Sequence, residues 1–201
     1  TSSWTDSSVG YEYATTLAIT RSNITFFGSG KATTTILGGF AIHNFENITF
    51  KNMTLTNTGN NGCGIHMRNA KVELIDVAIT DCISNALEIP INTFETSTVV
   101  ATRCEFANSQ TGALVFGSLT SATFNNCVFH DNRQYGIQGH QSTIHLHGEA
   151  TAIHSNRTHG ICAVNSSKVI IHLPSSHNTI YNNGDEDRHT SMGGTITNVE
   201  D

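Results

Sequence analysis

The chain has 201 residues, of which 13% are charged, with 10 basic against 16 acidic side chains and a formal net charge of −6. No run of Lys or Arg offers the clustered cationic surface that phosphate neutralisation needs, which excludes nucleic acid as a partner. No apolar stretch reaches the roughly 20 residues of a helical membrane span, and five cysteines without CxxC or Cys/His spacing argue against a cysteine-built zinc centre.

Residues 1–13 carry no repeat and read as an N-terminal extension; Thr1 in place of Met suits a mature or trimmed product, or part of a longer chain. From residue 14 the sequence breaks into short stretches, apolar at alternate positions and bounded by Asn, Gly, Ser or Asp, the pattern of half-buried strands. Asn23-Ile24-Thr25-Phe26, Asn47-Ile48-Thr49-Phe50, Met53-Thr54-Leu55, Val72-Glu73-Leu74 and Val77-Ala78-Ile79 come first. Residues 88–98 lengthen one unit and read as a loop protruding from it. The pattern returns in Cys104-Glu105-Phe106, Ala122-Thr123-Phe124, Cys127-Val128-Phe129, Ile144-His145-Leu146-His147, Thr151-Ala152-Ile153, Val169-Ile170-Ile171-His172 and Thr179-Ile180-Tyr181. Regular units end near residue 184, and 185–201 read as an irregular excursion followed by a terminal strand. No stretch has helical periodicity.

Between these strands a phrase repeats: Asn or Cys, then a small residue, then an aliphatic one. Aligned on Ile65, Leu87, Leu114, Ile137 and Ile161, it recurs in steps of 22, 27, 23 and 24. A fixed period in the twenties marks a solenoid, whose repeats bury apolar surface only against one another. Three short strands per coil of roughly 22–24 residues describe a single all-β domain over 1–201, a parallel β-helix solenoid of about seven to eight coils. Stacked coils sit ~4.8 Å apart, so equivalent residues form ladders. Asn60, Asn108, Asn132 and Asn156 are expected to make an inward amide ladder, with Cys82 in the equivalent place of its coil. Cys104 and Cys127 precede Phe106 and Phe129 by two residues, which turns thiols and rings inward in adjacent coils. A Cys104–Cys127 disulfide is compatible with that placement but not required by it.

The opening Leu17-Ala18-Ile19-Thr20-Arg21-Ser22-Asn23-Ile24-Thr25-Phe26-Phe27-Gly28-Ser29-Gly30-Lys31, closed by Thr35-Ile36-Leu37-Gly38-Gly39, resembles right-handed parallel β-helix proteins of the pectate-lyase-like superfamily. With the later Asn…Gly-Ile coils, the resemblance covers roughly residues 14–184. It implies a right-handed coil and admits lyases, hydrolases, epimerases, adhesins and viral tail proteins, since fold does not fix function. The superfamily's catalytic segments are missing: Gly139-His140-Gln141 matches only the last hydrolase segment, and neither an Asp-Asp pair nor Asp-Pro-His-Glu occurs. Glu73, Asp76, Asp81 and Arg103 fall in neighbouring coils without the spacing of a lyase.

The densest titratable set runs from His140 to His177. In Ile144-His145-Leu146-His147 the apolar residues face in and both histidines face out. Threading sets His147 beside His172 on the next coil, Asn125 on the coil before, Glu149 near the corner and Glu73 on the same strip. His145, His147, His172 and Glu149 can hold a divalent cation or supply a general base; ordinary outward residues of a polar strand alternate in the same way. One reading is a non-enzymatic scaffold or adhesive subunit without cofactor, offering His147, His172 and Asn125 to glycans or other subunits. Its coil ends, which would be exposed strand edges, would then be covered by a neighbouring chain or domain. The alternative is a polysaccharide lyase or epimerase acting on an acidic polymer through His145, His147, His172 and Glu149, with Ca2+ bridging polyanion and acidic protein. A secreted or cell-surface location is favoured, with a subunit of an intracellular assembly as the alternative. Asn23, Asn47, Asn52, Asn156 and Asn165 open glycosylation triplets, of which Asn156, facing inward, should stay unmodified.

Overall fold

The computed structural model describes residues 4–6, 11–13, 16–91, 95–173 and 179–199, with the backbone alone for the first two segments. Most of the expected N-terminal extension, the tip of the expected loop (92–94) and His177 lie outside the described residues. Trp4–Asp6 and Tyr11–Tyr13 pair antiparallel, and every other strand pairing among the described residues is parallel.

The strands fall on three faces. The first carries Thr16–Ala18, Gly39–His43, Ile65–Arg68, Leu87–Ile89, Ala113–Phe116, Ile137–His140, His159–Val164 and Glu186–Thr190. The second carries Ile24–Phe27, 48–51, 71–75, Ser97–Thr102, Thr120–Asn125, Thr143–His147, Lys168–His172 and Thr195–Asn198. On the third lie Thr35–Leu37, 53–56, 77–80, Glu105–Ala107, Val128–His130, Ala152–His154 and Ile180–Tyr181. The chain visits the faces in order through seven full turns and begins an eighth. Among the described residues no helix is long and apolar enough to cross a membrane.

Each corner is turned by a column of residues with positive φ. Asn52, Asp76, Arg103, Asn126 and Gly148 turn the second face into the third, while Asp81, Asn108, Asp131, Ser155 and Asn182 leave the third. Asn44, Asn69, Gly117, Gln141, Asn165 and Met192 leave the first. Left-handed backbone suits Asn, Asp and Gly best, and one such residue bends the chain without interrupting pairing on either side. This is why Asn and Asp punctuate the sequence at coil intervals.

Inside, side chains stack in register. Phe40, Ile65, Leu87, Ala113, Ile137 and Ile161 form one inward row of the first face. The partner of Leu87 and Ile137 is therefore Ala113, whereas Leu114 points outward and is half-buried. The step over the loop-bearing coil is accordingly 26, not 27. Phe106 and Phe129 stack at 4.8 Å between centroids with planes 7° apart, and Phe124 closes edge-on at 5.0 Å. Beside them Cys104 and Cys127 are buried as expected, and both are free thiols, as are Cys63, Cys82 and Cys162.

The amide ladder exists but takes a different path from the expected one. Asn132 Nδ2 donates to Asn156 Oδ1 at 2.8 Å, Asn156 Nδ2 to Asn183 Oδ1 at 2.9 Å, and Asn183 Nδ2 to Asp187 Oδ1 at 2.8 Å. Toward the other end Asn132 Oδ1 accepts from the backbone of Ser109, and Ser109 Oγ accepts from the backbone of Cys82. Asn108 and Asn60 are exposed. Asn108 is the left-handed corner residue, so its side chain turns out and its neighbour Ser109 turns in.

Two boundaries shift as well. Glu88 and Ile89 belong to a first-face strand and Ser97 and Thr98 to a second-face strand, so the segment joining the two strands runs only from Pro90 to Thr96. Residues 186–190, expected to be irregular, pair in parallel with the preceding first-face strand. They carry no aliphatic residue: Arg188, exposed, stands in register with Ile161 of the inward row and donates to Asn198 at 2.8 Å.

Candidate functional site

His145 and His147 project from one second-face strand and His172 from the next, with Asn125, His147 and His172 in direct register across three coils. The period-2 alternation that buries Ile144 and Leu146 turns both histidines outward. All three imidazoles are half-buried. The His147 and His172 rings stack at 3.9 Å and 14°, and His145 Nδ1 lies 2.9 Å from His172 Nε2. Their nearest nitrogens all fall within 4.8 Å of one another. Burial, then the charge of His172, depresses the His145 pKa. Glu149 sits exposed on the turn beyond the strand and outside this set. Glu73 shares the row of His145 but lies three coils away, with Val100 and Thr123 between, so it does not join the set.

Rings also line up on the other faces of the later coils. On the third face His130, His154 and Tyr181 stack with centroids 5.3 and 5.1 Å apart and planes 14° apart in both pairs. Tyr135, just before a first-face strand, stacks on His159 at 5.7 Å, and His159 stacks at 4.5 Å on His189 of the following first-face strand, which is in register with Cys162 and so reaches it across a diagonal. Phe116 and His140 stack at 4.0 Å, while Gln138 and Asn165 hold the His140 ring nitrogens at 3.0 and 3.2 Å. Burial lowers the pKa of His140; burial, then the charge of His130, lowers that of His154 against an opposing Asp131.

A family model for the right-handed β-helix region matches residues 9–185. The chain belongs to the right-handed β-helix family. No curated protein and no solved structure matches it.

The acids and bases that a lyase of this β-helix would draw on are distributed as follows. Arg103 grips Asp76 with two bonds of 2.8 and 2.7 Å, which holds the Asp76 carboxyl below its usual range. Asp81 is on a separate corner column. Lys71 pairs with Glu46 at 2.9 Å, and Glu105 meets His130 at 3.1 Å. A further polar set on the first face escaped the sequence reading. His43 Nε2 lies 3.0 Å from His66 Nδ1, Arg68 bonds Glu95 at 3.0 Å, and Cys63 and Asn85 donate to Glu88 at 3.0 and 2.9 Å. His66 and Glu88 are in register on adjacent strands, and Glu95 lies just before the next strand, Ser97–Thr102. The one-coil spacing of His66 and Glu88 was the available signal, whereas His43 pairs in register with Arg68 and reaches His66 across a diagonal. Of the sequons, Asn156 is buried in the ladder, as its inward placement implies.

Proposed function

We propose that this β-helix is a non-enzymatic binding shaft that holds an extended glycan along the ring-lined surface of its later coils. The observation that carries the reading is the third-face row of His130, His154 and Tyr181, spaced 5.3 and 5.1 Å apart. Stacked face to face one coil apart, these rings recur at an interval close to the advance per sugar of an extended pyranose chain. His130 gives its ring nitrogens to Asp131 and Glu105, so His154 and Tyr181 are the members that would meet the sugar. Asn125, His147 and His172 repeat the one-coil interval on the second face. The engagement of Arg103 with Asp76 supports binding over elimination, because a lyase needs a base free to take the sugar's proton.

Retention of the purified chain on immobilised neutral and acidic polysaccharides tests this. His154→Ala and Tyr181→Ala should each weaken retention roughly 2- to 10-fold, the worth of one hydrogen bond. Retention indifferent to both substitutions would refute the binding face. Purification of the native chain within a complex that covers this row would make the occupant a protein subunit. One observation favours a second reading, an enzyme acting on acidic polysaccharide: imidazoles, carboxylates and a guanidinium converge at His43, His66, Arg68, Glu88 and Glu95 on the first face. Release of unsaturated uronides from polygalacturonate or alginate with Ca2+, abolished by His66→Ala, would establish that reading instead.

A further inference from the structure

We propose that His145, His147 and His172 form a binding site for a borderline divalent transition-metal ion, Zn2+ being the reference case, with at least one coordination position left open. His147 and His172 also belong to the second-face row of the proposed glycan surface, and ion binding by the three imidazoles requires no glycan.

Geometry carries it. Three imidazole-nitrogen donors come from two adjacent strands, two of them from alternate positions of one strand, so backbone pairing on both sides fixes their origins. Strand 168–172 is itself paired on its far side to Thr195–Asn198, so neither supporting strand is a free edge. His145 Nδ1 and His172 Nε2 are 2.9 Å apart. Two imidazole nitrogens approach so closely when they share a proton or when they share a cation. Around a tetrahedral ion with bonds of 2.0–2.1 Å the same pair would stand about 3.3 Å apart, a small rotation of either ring, while His147 would turn out of its stack on His172 to aim a nitrogen at the same ion. The ion would replace the shared proton, which leaves the site or moves to the other nitrogen of its ring.

The donor set also selects the ion. Imidazole suits Zn2+, Cu2+ and Ni2+, whereas Ca2+ and Mg2+ require oxygen cages. Three protein ligands leave a fourth position for water or a ligand group, the arrangement of reactive zinc sites as opposed to structural ones. A second set, His159, Glu186 and His189, also gathers within 4.8 Å. It stands on the terminal first-face strand, and the Glu186 side chain is 58% exposed. The second-face set, half-buried throughout and anchored on internal strands, is the better cradle.

The test uses the full chain, stripped with chelator and titrated with Zn2+ by calorimetry in the absence of polysaccharide, with Co2+ as the optical probe. One equivalent of Zn2+ should bind, Co2+ should give the intense visible bands of a low-coordinate site, and excess Ca2+ should not compete. His147→Ala should weaken Zn2+ at least about tenfold, the loss that even a ligand's hydrogen-bond partner produces. His147→Cys, which supplies another zinc donor, should restore binding. Circular dichroism reports whether each variant keeps the fold, and His172→Gln serves should His147→Ala misfold. Absence of a bound equivalent, affinity unchanged in His147→Ala and His172→Gln, or affinity lost only in His159→Ala would each overturn the assignment.

Discussion

Substituting Asn156 by Ala removes the central rung of the amide ladder. The Asn156 side chain donates to the carbonyls of Phe129 and His154 at 3.2 and 3.1 Å and to Asn183 Oδ1 at 2.9 Å. Its Oδ1 accepts from Asn132 Nδ2 at 2.8 Å and from the Asn132 backbone at 3.2 Å. The residue is 1% exposed, so water cannot replace these partners without opening the corner. An orphaned buried Asn132 N–H costs about 1–3 kcal/mol, and the other severed bonds about 0.5–1.5 kcal/mol each where a partner is only partly satisfied. A loss of about 3–5 kcal/mol follows, or about 6–20 °C in melting temperature at this chain length. Asn108→Ala is the matched control. Asn108 is exposed and contributes only its ease in the left-handed conformation, worth about 1 kcal/mol, or a shift of about 2–4 °C. Melts followed by circular dichroism at equal protein concentration compare the two. Equal shifts for Asn156→Ala and Asn108→Ala would refute the ladder's path through Ser109.

Gly136→Ala should lower the urea midpoint by the equivalent of about 1–3 kcal/mol, because a Cβ there would lie 2.7 Å from the Gly160 carbonyl oxygen and 2.6 Å from Ile153 Cγ2; an unchanged midpoint would mean that the coils can part at that corner. Acid should destabilise the chain through its histidines: the folded pKa values of His140, His145 and His154 are depressed, so the unfolded chain binds protons first. The stability these groups supply is complete above the unfolded value near 6.5 and is lost as pH falls through it toward the lower folded values. Urea midpoints across that window should fall for the native chain and fall less for His145→Gln, and equal slopes would contradict the assignment. A thiol reagent should titrate none of the five buried cysteines in the native chain and all five after denaturation; burial pushes the Cys63, Cys82 and Cys162 thiols up.

The coil was legible because inward packing and corner geometry both write periodic residues into the sequence. Ile and Leu recur where cores stack, and Asn or Asp where φ turns positive. Errors arose where two residues competed for one role. Leu114 looks like the inward anchor and Ala113 does not, yet Gly112 aligns with Gly136 and fixes Ala113 as the partner of Ile137. Asn108 looks like a ladder residue, yet the corner needs it in left-handed backbone. Residues 186–190 were opaque because the position in register with Ile161 holds Arg188, which a hydrophobicity pattern cannot count. On the second face the positions of His145, His147 and His172 followed from alternation and register. The 2.9 Å approach of His145 to His172 did not, since it depends on side-chain rotation across a diagonal.

A solenoid turns any pair of residues one coil apart into neighbours, so an outward ladder is as easily written as an inward one. The two differ in what maintains them. Inward rows lower the free energy by removing apolar surface from water, and a β-helix without them would not close. Outward imidazole rows bring no such gain. Stacking half-buries groups that water would solvate and drives their pKa down, as at His145 and His154. Yet Phe116–His140, His130–His154, Tyr135–His159 and His147–His172 each recur at one coil spacing, on all sides of coils five to seven. Folding does not require these rows and is slightly burdened by them in acid. Their placement is therefore better explained by what the outer surface must hold than by what the inner core must bury.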